Sequence, residues 1–483
     1  MGEQVEGGWP ASWPRDLAVA SLLTLLLCRT LANLVLWRTG FTAISDDDFA
    51  RVVIAQSFAE APSWDPSGSS WLPLPFWLTG SFMLTFGTSL AVAKGCAFVM
   101  SLCSSALVFL ASRWLGLALA PAFYGSLATT LLPHSLWLGL ATVPEGYTAA
   151  LCLLGLASLN CFTLFHRSCG AAALCAATLC RYETWPLAVA FAVCTVFDVR
   201  RKRLNPAALG IAAAASLGMC GWLLHGTLNH GGALFFLTRV AQYKRALGAV
   251  ANEGMLQSVL QYPALLLRAE PELALAVVCG LLWVPNRAAI TARFRRPVGH
   301  VALLLAFLMF GACVDGVATH HPERSLLAIW LLATLLAADT WSKLFALPVR
   351  RHLLPLAAFT LGAVAITAGR DRLVPQQAFV DRRSEVGMGL MARRVVARSP
   401  ALVAVDTADY GYHAVIAALD LPGVAQPVNR HDPRLDETQP DLDRLASIGA
   451  GWLIADKNGP LSQVAGAVYA ENPRFVLLNL NER

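Results

Sequence analysis

The chain has 483 residues, 56% of them hydrophobic and 14% charged, with a formal net charge of +6 and a mean hydropathy of +0.55. Soluble domains carry about 25% charged residues, so this composition excludes a soluble protein over most of the length and points to an integral membrane protein. Arginines flanking membrane spans account for much of the positive balance, so it calls for no nucleic acid partner. The chain has 12 cysteines; Cys28, Cys96, Cys103, Cys152, Cys175 and Cys180 sit in apolar runs without metal-site spacing and read as small hydrophobes.

The first apolar run, from Leu17 to Trp37, is too long for a signal segment and predicts a retained span containing Arg29. An arginine at that depth packs inside the protein, snorkels to a headgroup, or contacts an anion. The polar loop at 40–70 follows and carries three consecutive carboxylates, Asp46, Asp47 and Asp48. Phe49, Val52 and Val53 then recur at helical spacing, which predicts a short amphipathic helix lying in the interface. Trp64, Trp71 and Trp77, with Pro73 and Pro75, mark the level where the chain re-enters the bilayer.

Spans are expected at 72–92 and 94–112, and the segment 114–142, broken by Pro121 and Pro133, reads as one span or a re-entrant pair. Another span opens at Glu145. The stretch 168–197 holds Arg181, Tyr182 and Glu183 at its middle and ends in the basic run at 199–203, so charge predicts two half-length helices with this triplet at the tip. Further spans at 206–226, 271–285, 298–316, 325–342 and 352–369 bring the total to about eleven. The loop 227–270, with His230, Arg239, Lys244 and Arg245 and the flanking His225, then shares a face with the acid cluster and with the turn at 319–325 that holds Arg324. Residues 1–370 thus form a membrane domain. Residues 371–483 read as a small extracytoplasmic α/β domain, with strands at 401–406 and 451–456 and a helix at 412–419.

Acids at 46–48, a second acid at Glu145, the pair Arg181 and Glu183, and basic loops on one face suit transfer of a sugar from a lipid phosphate. A carboxylate takes the acceptor proton while cations hold the leaving phosphate, and arginine pairs two phosphate oxygens at once. Structural readings stand beside these. The aspartates would favour a helix start, Glu145 would cap its span, and Arg181 with Glu183 would make a broken helix tolerable in the membrane. His320 and His321 read as surface histidines, and no carboxylate or histidine spacing suggests a zinc site.

The order of these features resembles the GT-C superfamily of polyprenyl-phosphate-sugar-dependent membrane glycosyltransferases, such as protein mannosyltransferases and aminoarabinose transferases. DDDFARVVIAQSFAE at 46–60 is similar to their first-loop acid motif, and WLPLPFWLTG at 71–80 to their entry into the second span. VPEGYTAALCLLGLASL at 143–159 and CRYETWPLAVAF at 180–191 are similar to their later acid-led segments. The resemblance covers 15–345 and implies a mainly α, polytopic helical bundle. It further implies Asp46 or Asp47 as the base, with Asp48 tolerant. Arg324, Arg239 and Lys244 would act on a polyprenyl-phosphate donor, with Asp48, Glu145, Arg181 and Glu183 at the substrate.

The acceptor is not read from the sequence, nor is any certain cofactor. Mg2+ or Mn2+ at Asp46 and Asp47 is compatible with hard oxygen ligands. The expected setting is a bacterial inner membrane, with the catalytic loops and the C-terminal domain outside the cytoplasm. A flippase for a lipid-linked saccharide is a competing class, but the two related halves typical of transporters are not found in the sequence. A non-catalytic scaffold is the other, and it has no use for three adjacent aspartates.

Overall fold

The computed structural model describes residues 15–246, 255–315, 321–369, 379–406, 410–432, 437–440, 442–464 and 466–481. It is 72% helical. The first helix, α1 (Arg15–Arg38), is inside-out by the standards of a soluble protein. Leu25, Arg29 and Asn33 form its buried stripe, while Leu23, Leu27, Leu31 and Val35 face outward, as a lipid environment requires. Arg29 donates to Ser101 Oγ, the Thr130 carbonyl and the Ser135 carbonyl at 2.9, 3.0 and 3.1 Å, so of its three readings interior packing is the one seen.

The chain continues through α2 (Asp47–Glu60), α3 (Leu74–Phe86), α4 (Leu90–Trp114), α5 (Leu119–Leu131), α6 (Pro133–Leu140), α7 (Glu145–Ser158), α8 (Leu164–Thr178) and α9 (Trp185–Arg200). Then follow α10 (Ala208–Ala214), α11 (Leu217–Asn229), α12 (Phe235–Ala246), α13 (Met255–Ala269), α14 (Pro271–Trp283), α15 (Arg287–Asp315), α16 (Leu327–Phe345) and α17 (Val349–Ala368). Among the described residues five helices are long and apolar enough to cross a membrane, or up to seven when each of two bent pairs counts as one span. The expected count of about eleven is not confirmed. Several of the apolar stretches fold as short helices, such as the 13-residue α3 and α14, which reach only about 20 Å against a hydrocarbon core of about 30 Å. The chain bends sharply after Leu140, where α6 and α7 meet at 114°.

α8 and α9 form a hairpin with Arg181, Tyr182 and Glu183 at its tip. Its open end is clasped by Arg167, which donates to Asp198 at 2.5 Å, and by Arg296 of α15, which reaches both Asp198 oxygens at 2.8 and 2.6 Å. The basic segments around 167, 199–203 and 293–296 therefore gather at one end of the bundle. The tip lies about 24 Å away, the length of a 16-residue helix.

Beyond the membrane part, α18 (Arg383–Val396), α19 (Tyr412–Leu419) and α20 (Leu442–Ile448) accompany a five-stranded sheet. Its strands are β1 (Val403–Val405), β2 (Ala425–Pro427), β5 (Trp452–Asp456), β6 (Ala467–Glu471) and β7 (Phe475–Asn479), in the order β2-β1-β5-β7-β6. β1 pairs with β2 and β5 in parallel and β7 runs antiparallel to its neighbours, while β3 (Asn429–Asp432) and β4 (Glu437–Pro440) form a separate pair. The short runs VAV of β1 and WLIAD of β5 are buried throughout, as central strands demand.

This unit does not hang free. α19 packs on α2, bringing Ala414, Ala417 and Ala418 against Phe49, Val52 and Ala55, and Gln56 donates to the Ala417 carbonyl at 2.9 Å. The amphipathic helix expected in the interface is thus roofed by the C-terminal unit.

Candidate functional site

The three aspartates start α2, yet none caps it: Asp46 occupies the N-cap position without a side-chain cap bond. Each has a different environment. Asp48 is buried and accepts from the amides of Ile44, Ser45 and Thr142 at 3.2, 3.2 and 3.0 Å, which fixes the loop to the bend between α6 and α7. Burial pushes its carboxyl up, against the pull of the Arg324 charge and of the Ser45 and Thr142 amides. Asp46 is held by both oxygens on Arg382, at 2.9 and 2.8 Å. Asp47 is the open one, with a side chain 46% exposed and Arg324 at 3.6 Å.

Arg324 lies on the short helical turn Pro322–Leu326 that leads into α16. Its guanidinium is almost fully buried, donates to Ser45 Oγ at 2.8 Å, and leaves Nε without a partner among the described residues. One pocket is lined by Arg324, Glu145, Arg181 and Glu183. Arg181 donates to Glu145 and to Glu183 at 2.6 Å each, tying the hairpin tip to the start of α7. The structure therefore brings Asp47, Asp48, Glu145, Arg181, Glu183 and Arg324 to one place. Part of the Arg181 charge is already spent on two carboxylates, as the structural reading of this triplet has it.

Arg239 is elsewhere: it is exposed and donates to the Gly68 carbonyl at 2.8 Å. The side chain of Lys244 lies outside the described residues, as do that of Arg245 and all of His320.

Four features were not read from the sequence. Arg51 points from α2 with its guanidinium 4.5 Å from the Trp71 ring and its buried Nε unpartnered among the described residues; its charge, with those of Arg181 and Arg324, reaches Glu145. Its spacing from the acids was visible, but it reads as the polar face of an amphipathic helix. Arg382, with its bond to Asp46, comes from the far end of the chain, and no local pattern announces it. His413, in the first turn of α19, has a buried Nδ1 without a partner among the described residues, and burial lowers it to about 4 against the pull of Asp46 and Asp47. Lastly, Asp65, His225 and His230 converge across 165 positions of sequence, a set that no local ligand spacing reveals.

No family model matches the chain, and no curated protein matches it in sequence. Solved structures do match in shape. ArnT from Cupriavidus metallidurans bound to undecaprenyl phosphate superposes with a TM-score of 0.58 at 14% identity, covering 96% of this chain and 97% of that one. Archaeal oligosaccharyltransferase AglB from Archaeoglobus fulgidus, in complex with an inhibitory peptide and a dolichol-phosphate, superposes with a TM-score of 0.53 at 13% identity, covering 92% of this chain and 70% of that one. Both are GT-C membrane glycosyltransferases, and the fold of the present chain is the fold they share.

Proposed function

We propose that the protein is an integral membrane glycosyltransferase of the inverting type, moving a sugar from a polyprenyl-phosphate donor to an acceptor hydroxyl outside the cytoplasm. The observation that carries this reading is the convergence of an open carboxylate, Asp47, with the buried, half-satisfied guanidinium of Arg324, in a fold whose solved relatives hold polyprenyl phosphates. Asp47 removes the proton from the acceptor hydroxyl. The resulting oxygen bonds to the anomeric carbon from the side opposite the phosphate, and the bond from that carbon to the phosphate oxygen breaks. The electron pair leaves on the polyprenyl phosphate, where Arg324 and Arg51 meet its charge. Glu145, held by Arg181, and Asp48, held by backbone amides, position the pocket and the loop.

Asp47 is preferred to Asp46 because both Asp46 oxygens are engaged by Arg382. The same engagement bears on Mg2+ or Mn2+. With Asp46 on a guanidinium and Asp48 on three amides, the triplet does not offer the several free oxygens a hard cation takes, so no step here runs through one. The division into a membrane domain, 1–370, and an extracytoplasmic domain, 371–483, and the bacterial inner membrane as its home, belong to the same reading.

Transfer of radiolabelled sugar from a panel of polyprenyl-phosphate sugars, using purified protein in lipid nanodiscs, tests it. Asp47→Asn should fold and lose roughly 10²–10⁴ in rate, while Asp46→Asn retains transfer. Loss confined to Asp46→Asn would move the base by one residue. Full transfer by both single variants and by the double variant would sink the catalytic reading of this loop.

A further inference from the structure

We propose that Asp65, His225 and His230 form a zinc site that staples the first loop to the end of α11. The three residues offer one carboxylate oxygen and two imidazole nitrogens, all within 4.8 Å of one another. Asp65 Oδ1 accepts from the Gly68 amide at 3.1 Å and from Ser67 Oγ at 3.2 Å, which turns Oδ2 toward the histidines. Oδ2 stands 3.2 Å from His230 Nε2 and 3.6 Å from His225 Nε2. A tetrahedral ion with bonds of about 2.0–2.1 Å holds its ligand atoms about 3.3 Å apart, and the two observed separations bracket that value. His225 Nε2 is buried and has no hydrogen-bond partner among the described residues, a cost that a metal bond would remove.

Both rings are fixed before any ion arrives. His225 stacks on Trp222 with centroids 5.0 Å apart, and His230 stacks on Phe235 at 4.1 Å. The Asn229 amide lies 3.0 Å from His225 Nδ1. A half-turn of that amide lets its oxygen accept from Nδ1–H, the tautomer a metal-bound Nε2 requires. Two nitrogens and one oxygen select a borderline ion such as zinc over magnesium or calcium, which take oxygen. Three protein ligands leave a fourth position for water.

The site would hold more than itself. Its loop also carries Ser70, whose carbonyl accepts from Tyr182 at 2.7 Å, and Trp71, the platform under Arg51. Tyr182 in turn accepts from Trp222 Nε1 at 3.1 Å, on the helix that bears His225. A bound ion therefore braces the side of the pocket that Arg51 and the hairpin tip form, whatever reaction the pocket carries out.

The test uses purified full-length protein stripped with chelator and titrated with ZnCl2, with MgCl2 as the control salt. One zinc per chain should bind and raise the unfolding temperature, with no response to magnesium. His225→Ala and His230→Ala should each weaken binding at least tenfold. Cobalt substitution covers the case in which a variant does not fold, because it reads the wild type alone. Tetrahedral cobalt bands without sulfur charge-transfer absorption support this site, whereas thiolate charge transfer would assign the ion to cysteine and overturn it. Absence of zinc uptake by the wild type, or undiminished uptake by a folded double histidine variant, would overturn it equally.

Discussion

Asp198 is the most exacting test of how the bundle is held together. It is 1% exposed and receives three charged hydrogen bonds, one from the fully buried Arg167 and two from Arg296. Asp198→Asn keeps the shape and leaves one acceptor oxygen, so no cavity forms and the loss is electrostatic. Arg167 retains neutral partners, Thr195 Oγ1 and the Leu159 and Cys161 carbonyls, but its charge is left buried without a counter-ion. Breaking a buried pair in this way costs about 3–5 kcal/mol. Arg296→Gln should cost less, about 1–2 kcal/mol, because Asp198 keeps Arg167 and Arg296 is 21% exposed at its side chain. Replacing both buried charges, with Asp198→Leu and Arg167→Met, should recover most of the loss. Reversible unfolding in mixed micelles gives all three values. A cost under about 1 kcal/mol for Asp198→Asn, or a larger cost for Arg296→Gln, would refute the clasp as the support of the hairpin.

Burial lowers His413 from an ordinary 6.5 to about 4, so its stabilising contribution is complete above 6.5 and is lost as pH falls toward 4, by about 3 kcal/mol at most. Stability of the wild type should fall over that window more steeply than that of His413→Gln, and equal slopes would show that the shift is absent. Gly139→Ala would place a methyl 1.8 Å from an Arg29 nitrogen, so it should displace the guanidinium from Ser101, Thr130 and Ser135 at a cost of about 1–3 kcal/mol; an unchanged melting curve would contradict the close approach. Arg324→Lys keeps the charge and loses the fork, so it should weaken binding of a polyprenyl-phosphate sugar; unchanged donor affinity in Arg324→Ala would remove it from the site.

The parts of the fold governed by local pattern were readable. The strand runs at 401–406 and 451–456 and the helix at 412–419 carry their own periodicity, and the reversal at Arg181–Glu183 followed from basic residues at both ends of 168–197, although the arm Tyr182–Arg200 is long enough to cross a membrane and not half-length as expected. Span number was not readable in the same way, because hydropathy cannot tell a full crossing from a 13-residue helix such as α3 or a bend such as that after Leu140. Among the site residues, Glu145 and Arg181 were legible as charges out of place in apolar sequence. Arg382 was not. It stands in a polar stretch where arginine is ordinary, and its role depends on a contact 336 residues away.

That separation also sets an order in time. A ribosome adding about 5–20 residues per second needs about 17–67 seconds to travel from Asp46 to Arg382, and longer to reach the helix that covers Phe49 and Val52. Throughout that interval α2 has no roof, with its apolar stripe open. An amphipathic helix resting in the headgroup layer is therefore a fair description of the nascent chain. The Asp46 end of the acid loop therefore takes its final form only after the bundle is made, and a chain arrested before residue 382 would insert with Asp48 on its amides but Asp46 without its arginine.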